Sequence, residues 1–182
     1  MGRARDRILH SWRRRRARNL LAERSISRVL VLCHANLCRS PFAAGVLRLD
    51  LESVGRSDII VRSAGFVGPE RGSPTQAVQV AGESGVDLSS HHSAIVTSDM
   101  LGKTDLIVVM SSDQANDIRW RGAPSQVPVL ILGDLDPNPI DGRTIFDPWR
   151  GDETVFRSSY GRIVRCVYEL SRILTSREEF AE

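Results

Sequence analysis

A cysteine, an arginine six residues later and the serine after it carry the first chemistry in this chain. They stand in Cys33-His34-Ala35-Asn36-Leu37-Cys38-Arg39-Ser40-Pro41, between the apolar run Val29–Leu32 and an apolar segment reaching Leu47. The run before the loop reads as a strand, and Ser40-Pro41 reads as a helix start with Pro just inside the first turn. A loop closing onto a helix N-terminus offers several backbone N–H groups and the positive end of the helix dipole, which together make an anion cradle. Arg39 adds a planar fork of donors suited to two oxygens of a phosphate. Cys33, at the strand end below the cradle, faces the same positive field, which favours the nucleophilic thiolate. A thiolate under a bound phosphate is aimed at phosphorus. Two plainer readings compete: a packing cysteine with a surface arginine, and a metal site from Cys33, His34 and Cys38. The second needs another ligand from elsewhere, and no Cys-x-x-Cys pair supplies one. No metal and no cofactor are therefore expected.

Four short apolar, β-branched runs could position this loop: Val29–Leu32, Ile59–Val61, Leu106–Met110 and Val127–Leu132. None alternates as a half-exposed strand would, and segments of helical spacing lie between them. That pattern predicts an α/β domain, a four-stranded parallel sheet with helices on both faces. The last helix is the clearest: Phe156, Tyr160, Ile163, Val164, Val167, Leu170 and Leu174 recur at intervals of three and four after an Asp152 cap. In doubly wound sheets, ligands bind outside the carboxyl ends of the strands, where the Cys33–Ser40 loop lies.

The chain of 182 residues suffices for one domain with a proper core, and its 41% apolar content is that of a globular protein. No apolar run is long enough to span a bilayer. The net charge of +3 is unevenly placed: ten arginines precede Val29 against only Asp6 and Glu23. The basic balance thus belongs to the N-terminal segment, and no nucleic-acid partner is expected. Ile8, Leu9, Trp12 and Leu20 could share one side of a helix there. A solvated or frayed extension is the favoured reading, ahead of contact with acidic lipid, nucleic acid or an acidic partner. No apolar stretch of a secretory signal follows the arginines, and three cysteines do not make a disulfide framework, so a reducing, cytoplasmic setting is expected.

The string Cys-x-x-Asn-x-Cys-Arg-Ser-Pro between strand and helix resembles the phosphate-binding loop of the bacterial low-molecular-weight protein tyrosine phosphatases. The resemblance runs from about Arg28 to Leu174. It takes in Ser63-Ala64-Gly65, Gly85–His91, Thr104–Met110 and Asp147-Pro148-Trp149. It implies the flavodoxin-like fold of that family over residues 28–176, with 1–27 an Arg-rich extension and 177–182 a tail. It also implies hydrolysis of phosphotyrosine through a phosphocysteine. Cys33 would be the nucleophile, and Arg39 with the loop residues His34, Ala35, Asn36, Leu37, Cys38 and Ser40 would hold phosphate. Ser40 would also stabilise the departing thiolate. Asp147 would be the general acid and then the base, Asn36, Ser63 and His91 would brace the loop, and Trp149 would be a wall for the substrate ring. Asp136-Pro137 is a rival for the acid, less favoured because no aromatic residue follows it.

Several positions depart from the family pattern. Ala35 stands where Gly is usual, Trp149 where Tyr is commoner, and Ser111 where Asp often follows the position of Met110. The aromatic that often forms the opposite wall is missing after Gly65, with Phe66 a candidate substitute. Three other functions fit the same fold. A thiol-coupled arsenate reductase needs further relay cysteines, and only Cys166, inside the last helix, remains. Phosphoarginine phosphatases carry Thr at the Leu37 position. A non-catalytic phosphate-binding module would lack Cys33, Arg39 or Asp147, and all are present. The expected partner is a phosphotyrosine protein, with a bacterial tyrosine kinase of exopolysaccharide export as the family analogy. Cys33 and Cys38 are also close enough in sequence to form a protective disulfide on oxidation.

Overall fold

The computed structural model describes residues 2–22, 24–139 and 142–176, so the C-terminal tail falls outside the described residues. Its elements are α1 (Gly2–Ala22), β1 (Arg28–Cys33), α2 (Arg39–Ser53), β2 (Ile60–Gly65), α3 (Thr75–Gly82), α4 (Ser98–Gly102), β3 (Leu106–Val109), α5 (Ser112–Trp120), β4 (Val129–Ile131), a 3-10 turn (Leu132–Leu135) and α6 (Glu153–Thr175). The four strands form one parallel sheet in the order β2-β1-β3-β4. The order reverses at β1, so the crevice outside its carboxyl end is the topological switch point.

Successive strand residues point to opposite faces, and both faces are covered. Val29, Val31 and Cys33 pack with α2, α3 and α6, whereas Leu30 and Leu32 pack with α4 and α5. This explains why the central strands show no polar alternation. Asp152 caps α6 as expected, accepting from the Val155 N–H at 3.0 Å.

Three expectations need correction. The run Ile59–Val61 contributes to an edge strand displaced toward Gly65, and its Ile60 is 52% exposed. The five-residue α4 is too short to cover that end of the edge. The run Val127–Leu132 yields a strand of only Val129–Ile131. Pro128 has no N–H for the ladder, and Leu132 already turns into the 3-10 segment.

The third correction concerns the N-terminal segment. Rather than a solvated or frayed extension, it is a helix lying against the 3-10 turn and α6, with His10, Ala17 and Leu21 buried. Leu9 and Trp12 instead face solvent. Arg14 pairs with Glu169, and Arg13 approaches Asp134 at 3.9 Å. The docking face at positions 10, 14, 17 and 21 has helical spacing but mixes imidazole and guanidinium with aliphatic carbon, so an apolar periodicity does not reveal it.

Candidate active site

The loop between β1 and α2 closes over the end of β1, with Cys33 buried beneath it. At the N-cap position of α2, Cys38 makes no side-chain hydrogen bond to the first turn. A helix N-terminus without a side-chain cap leaves its orphan N–H groups for a ligand. The cavity above has a volume of about 390 Å³ and is lined by Cys33, Leu37, Cys38, Arg39, Asp147 and Trp149, among others. His34 and Ala35 also border it, whereas Asn36 and Ser40 are wholly buried behind the loop.

Asn36 holds the loop in shape. It takes a φ of 55°, in the left-handed region that asparagine tolerates better than most residues. Its Nδ2 donates to Ser40 Oγ at 2.9 Å and to Ser63 Oγ at 3.0 Å. Its Oδ1 accepts from the Ala94 N–H at 2.9 Å, and its carbonyl accepts from His91 Nε2 at 2.7 Å. The carbonyl can only accept, so His91 carries its proton on Nε2. Burial holds the His91 pKa below its usual value, opposed by the bond to Asn36, so the ring stays neutral at neutral pH. The departure at Ala35 is harmless, because Asn36 and not Ala35 adopts positive φ. Gly65 has a separate reason. A Cβ there would lie 2.7 Å from the Asn36 nitrogen and 2.8 Å from the Ala35 carbonyl carbon, so the end of β2 can abut the loop only without a side chain.

Ser40 links this scaffold to the sulfur. Its hydroxyl donates to Cys33 Sγ at 3.1 Å or to the Ala64 carbonyl at 3.3 Å, while accepting from Asn36. The neighbouring Cys38 thiol is pushed up to about 12, first by burial and then by the proximity of Cys33 and Asp147. The Tyr160 hydroxyl donates to the Cys38 carbonyl at 3.1 Å, tying the loop to α6.

Arg39 is 5% exposed. It donates to the Ile145 carbonyl at 3.1 Å and to the Asp147 carboxylate, and its buried Nε has no acceptor among the described residues. The segment bearing Asp147 is fastened on several sides. Ile145 N–H bonds the Met110 carbonyl at 2.9 Å, Ser159 Oγ donates to the Phe146 carbonyl at 2.8 Å, and Arg162 donates to the Thr144 carbonyl at 2.7 Å. The Trp149 N–H donates to Asp147 Oδ1 at 3.2 Å. Asp136, the rival acid, is fully buried and pairs with Arg162 and Arg165. It does not border the cavity.

The opposite wall is not aromatic. Phe66 is buried on the far side of the sheet, among Leu32, Ala64 and Ile118, with Arg121 over its ring. Val67 and Arg71 face the cavity instead. The sequence pattern gave no sign of Arg71, because a loop arginine looks like any surface charge. Ser111, the other departure, caps α5.

This arrangement can hold a tetrahedral anion against a thiol, with a carboxylate at the mouth. The sequence profile described as low molecular weight phosphotyrosine protein phosphatase matches residues 28–179. The chain belongs to this family. A protein from Ralstonia solanacearum named probable low molecular weight protein-tyrosine-phosphatase EpsP is 34% identical over 144 residues, covering 78% of this chain and 92% of that protein. The crystal structure of the Erwinia amylovora tyrosine phosphatase AmsI superposes with a TM-score of 0.73 at 25% identity, over 82% of this chain and 94% of that one. The YwlE arginine phosphatase of Geobacillus stearothermophilus shares the fold, with a TM-score of 0.74 over 86% of this chain and 97% of that one, at 24% identity. Family membership makes the chain a protein tyrosine phosphatase, a phosphoric monoester hydrolase.

Proposed function

We propose that this phosphatase works through Cys33, Arg39, Ser40 and Asp147 in a two-step phosphoryl transfer within a domain spanning residues 28–176. The observation that carries the reading is the Ser40 Oγ–Cys33 Sγ contact of 3.1 Å at the uncapped start of α2, beside an Arg39 whose Nε has no acceptor among the described residues. In the first step the Cys33 thiolate attacks phosphorus and the P–O bond to the tyrosine ring breaks. The leaving oxygen takes a proton from Asp147, and the S–P bond of a phosphocysteine forms. Loop N–H groups and Arg39 stabilise the charge on the equatorial oxygens. In the second step water gives a proton to Asp147 and attacks phosphorus, the S–P bond breaks, and the Ser40 hydroxyl donates to the returning thiolate.

Asp147 has a second task before substrate arrives. Its carboxylate occupies Arg39, the donor that the phosphate will need. Binding of phosphate therefore releases Asp147 toward the leaving oxygen.

The substrate is a phosphotyrosine protein. A bacterial tyrosine kinase of exopolysaccharide export, acting in the cytoplasm, is the partner that the family analogy supports. Leu37 at the cavity favours an aryl phosphate over phosphoarginine. Arsenate reduction has no support from Cys166, which lies buried in α6 with its thiol pushed up to about 12 by burial.

The direct test compares phosphotyrosine peptide, phosphoarginine and arsenate with the wild type, Cys33→Ser and Asp147→Asn. Only the phosphotyrosine peptide should turn over well. Cys33→Ser should abolish turnover, and Asp147→Asn should slow it by about 10²–10⁴. A smaller Asp147→Asn defect for aryl phosphates with acidic leaving groups is also expected. Normal turnover by Cys33→Ser would refute the mechanism.

A further inference from the structure

The rim of the cavity carries two arginines that phosphate binding does not use. Arg71 faces Trp149, with its guanidinium carbon 5.6 Å from the indole centroid, and Arg150, next after Trp149, also lines the cavity. Among the described residues, no carboxylate pairs with either guanidinium. Arg150 holds a left-handed φ of 67°.

The backbone at Arg71 is fastened. Buried Ser93 donates its hydroxyl to the Gly68 carbonyl at 2.6 Å and accepts from the Arg71 N–H at 3.0 Å. The Ser93 N–H bonds the Arg71 carbonyl at 2.9 Å, and the Glu70 N–H bonds the Ser93 carbonyl at 2.7 Å. The arginine side chain lies across Gly68, where a Cβ would come within 3.3 Å of its terminal nitrogen. The loop thus fixes where the side chain starts and leaves its guanidinium to move.

A substrate ring cannot enter between Trp149 and Arg71 as they stand. Stacking on both faces needs about 3.5 Å on each side, more in total than the 5.6 Å present. When the phosphotyrosine ring takes the face of Trp149, Arg71 gives up its cation–π contact and remains at the rim, tethered by its backbone. A freed guanidinium at the exposed rim beside a bound peptide is placed to pair with an anion.

Building on the phosphatase reading, we propose that Arg71, assisted by Arg150, is a specificity residue that binds an acidic side chain next to the phosphotyrosine. An aspartate or glutamate there replaces the contact that Arg71 loses, whereas a neutral neighbour leaves the loss uncompensated. The site so read takes a dianionic phosphate at Arg39 and a carboxylate at the rim.

The test measures kcat/KM on two phosphotyrosine peptides that differ only in flanking Glu or Gln, with p-nitrophenyl phosphate as a third substrate. The wild type should prefer the Glu peptide by about three- to tenfold at low salt, as rim ion pairs permit, and lose most of that preference in about 0.5 M salt. Arg71→Gln should bring the two peptides within about twofold of each other, with the change mainly in KM, because the rim touches the peptide and not the reacting atoms. Arg71→Lys should keep much of the preference by keeping the charge. Equal wild-type turnover of the two peptides, or a preference that Arg71→Gln leaves intact, would overturn the subsite while the phosphatase reading stands. Failure of the wild type on all three substrates would overturn both.

Discussion

The phosphate loop and the seat of α1 are both buried and polar, but their polar groups are satisfied very differently. In the loop, Asn36 alone joins Ser40, Ser63, Ala94 and His91, and the donor without a partner among the described residues is Nε of Arg39, which lines the cavity. At the seat of α1, the buried His10 Nε2, Arg13 Nε and Arg14 Nε have no hydrogen-bond partner among the described residues, and a cavity of about 510 Å³ lies beside His10 and Arg14. A fully connected network in a low-dielectric interior fixes one conformation, while orphaned donors subtract from the gain of burial. The loop is accordingly the rigid part, and α1 is a modestly held addition.

The sharpest contrast between them is in stability. Asn36→Ala should cost about 3 kcal/mol or more, because several buried partners lose their bonds at once and Ala is strained at positive φ. Asn36→Gly should recover the strain and not the bonds. Deletion of residues 1–22 should cost less, about 1–2 kcal/mol, since the burial of Leu21 and Ala17 is offset by the released helix entropy. Its effect on kcat/KM for a small aryl phosphate should stay within about twofold. Urea unfolding of the three proteins decides the order, and a deletion costing more than Asn36→Ala reverses the comparison.

A smaller effect concerns pH. His91 has its folded pKa below the usual value because it is buried. As pH falls below about 6.5, the unfolded chain therefore takes up a proton that the folded loop resists, and stability declines until the folded pKa is passed. His91→Gln, whose amide can replace the Nε2–H donor to Asn36, should flatten this part of the profile. The measurement is Tm from about pH 7.5 to about pH 5.5. An unchanged slope in His91→Gln would assign the decline to another group.

The smallest effect is redox recovery. Peroxide converts a reactive thiolate to a sulfenic acid, which a nearby thiol can trap as a disulfide. Cys38 shares the loop but is held protonated by burial and by the proximity of Cys33, so capture should be slow. After brief peroxide exposure, a dithiol should restore more activity to the wild type than to Cys38→Ser. Equal recovery would leave Cys38 with its roles in packing and in accepting from Tyr160.

The loop was legible in the sequence because Cys33, Asn36, Arg39 and Ser40 stand at a distinctive spacing between an apolar strand run and a helix start, where the structure places the loop. The central strands were legible because burial on both faces leaves uninterrupted apolar runs. The edge was harder, since the exposure of Ile60 depends on the shortness of α4, and the early end of β4 depends on where the chain turns after Ile131. The seat of α1 was not legible, because a docking face of His10, Arg14, Ala17 and Leu21 has no apolar stripe. Arg71 was invisible for another reason. Its position opposite Trp149 is set by Ser93, a partner 22 residues away, and by the inward turn of Phe66.

The central claim is that Cys33 carries the phosphoryl group between the two steps. Asp147→Asn turning over p-nitrophenyl phosphate is the informative enzyme, because the acidic leaving group spares the first step while loss of the base slows the second. Acid quenching during turnover, followed by mass analysis of the peptides, should find one phosphoryl group on the peptide containing Cys33, at Cys33 itself. The same quench should find none in Cys33→Ser with this substrate. A phosphoryl group on His34 or Cys38, or turnover with a burst of nitrophenol but an unmodified Cys33, would contradict the account.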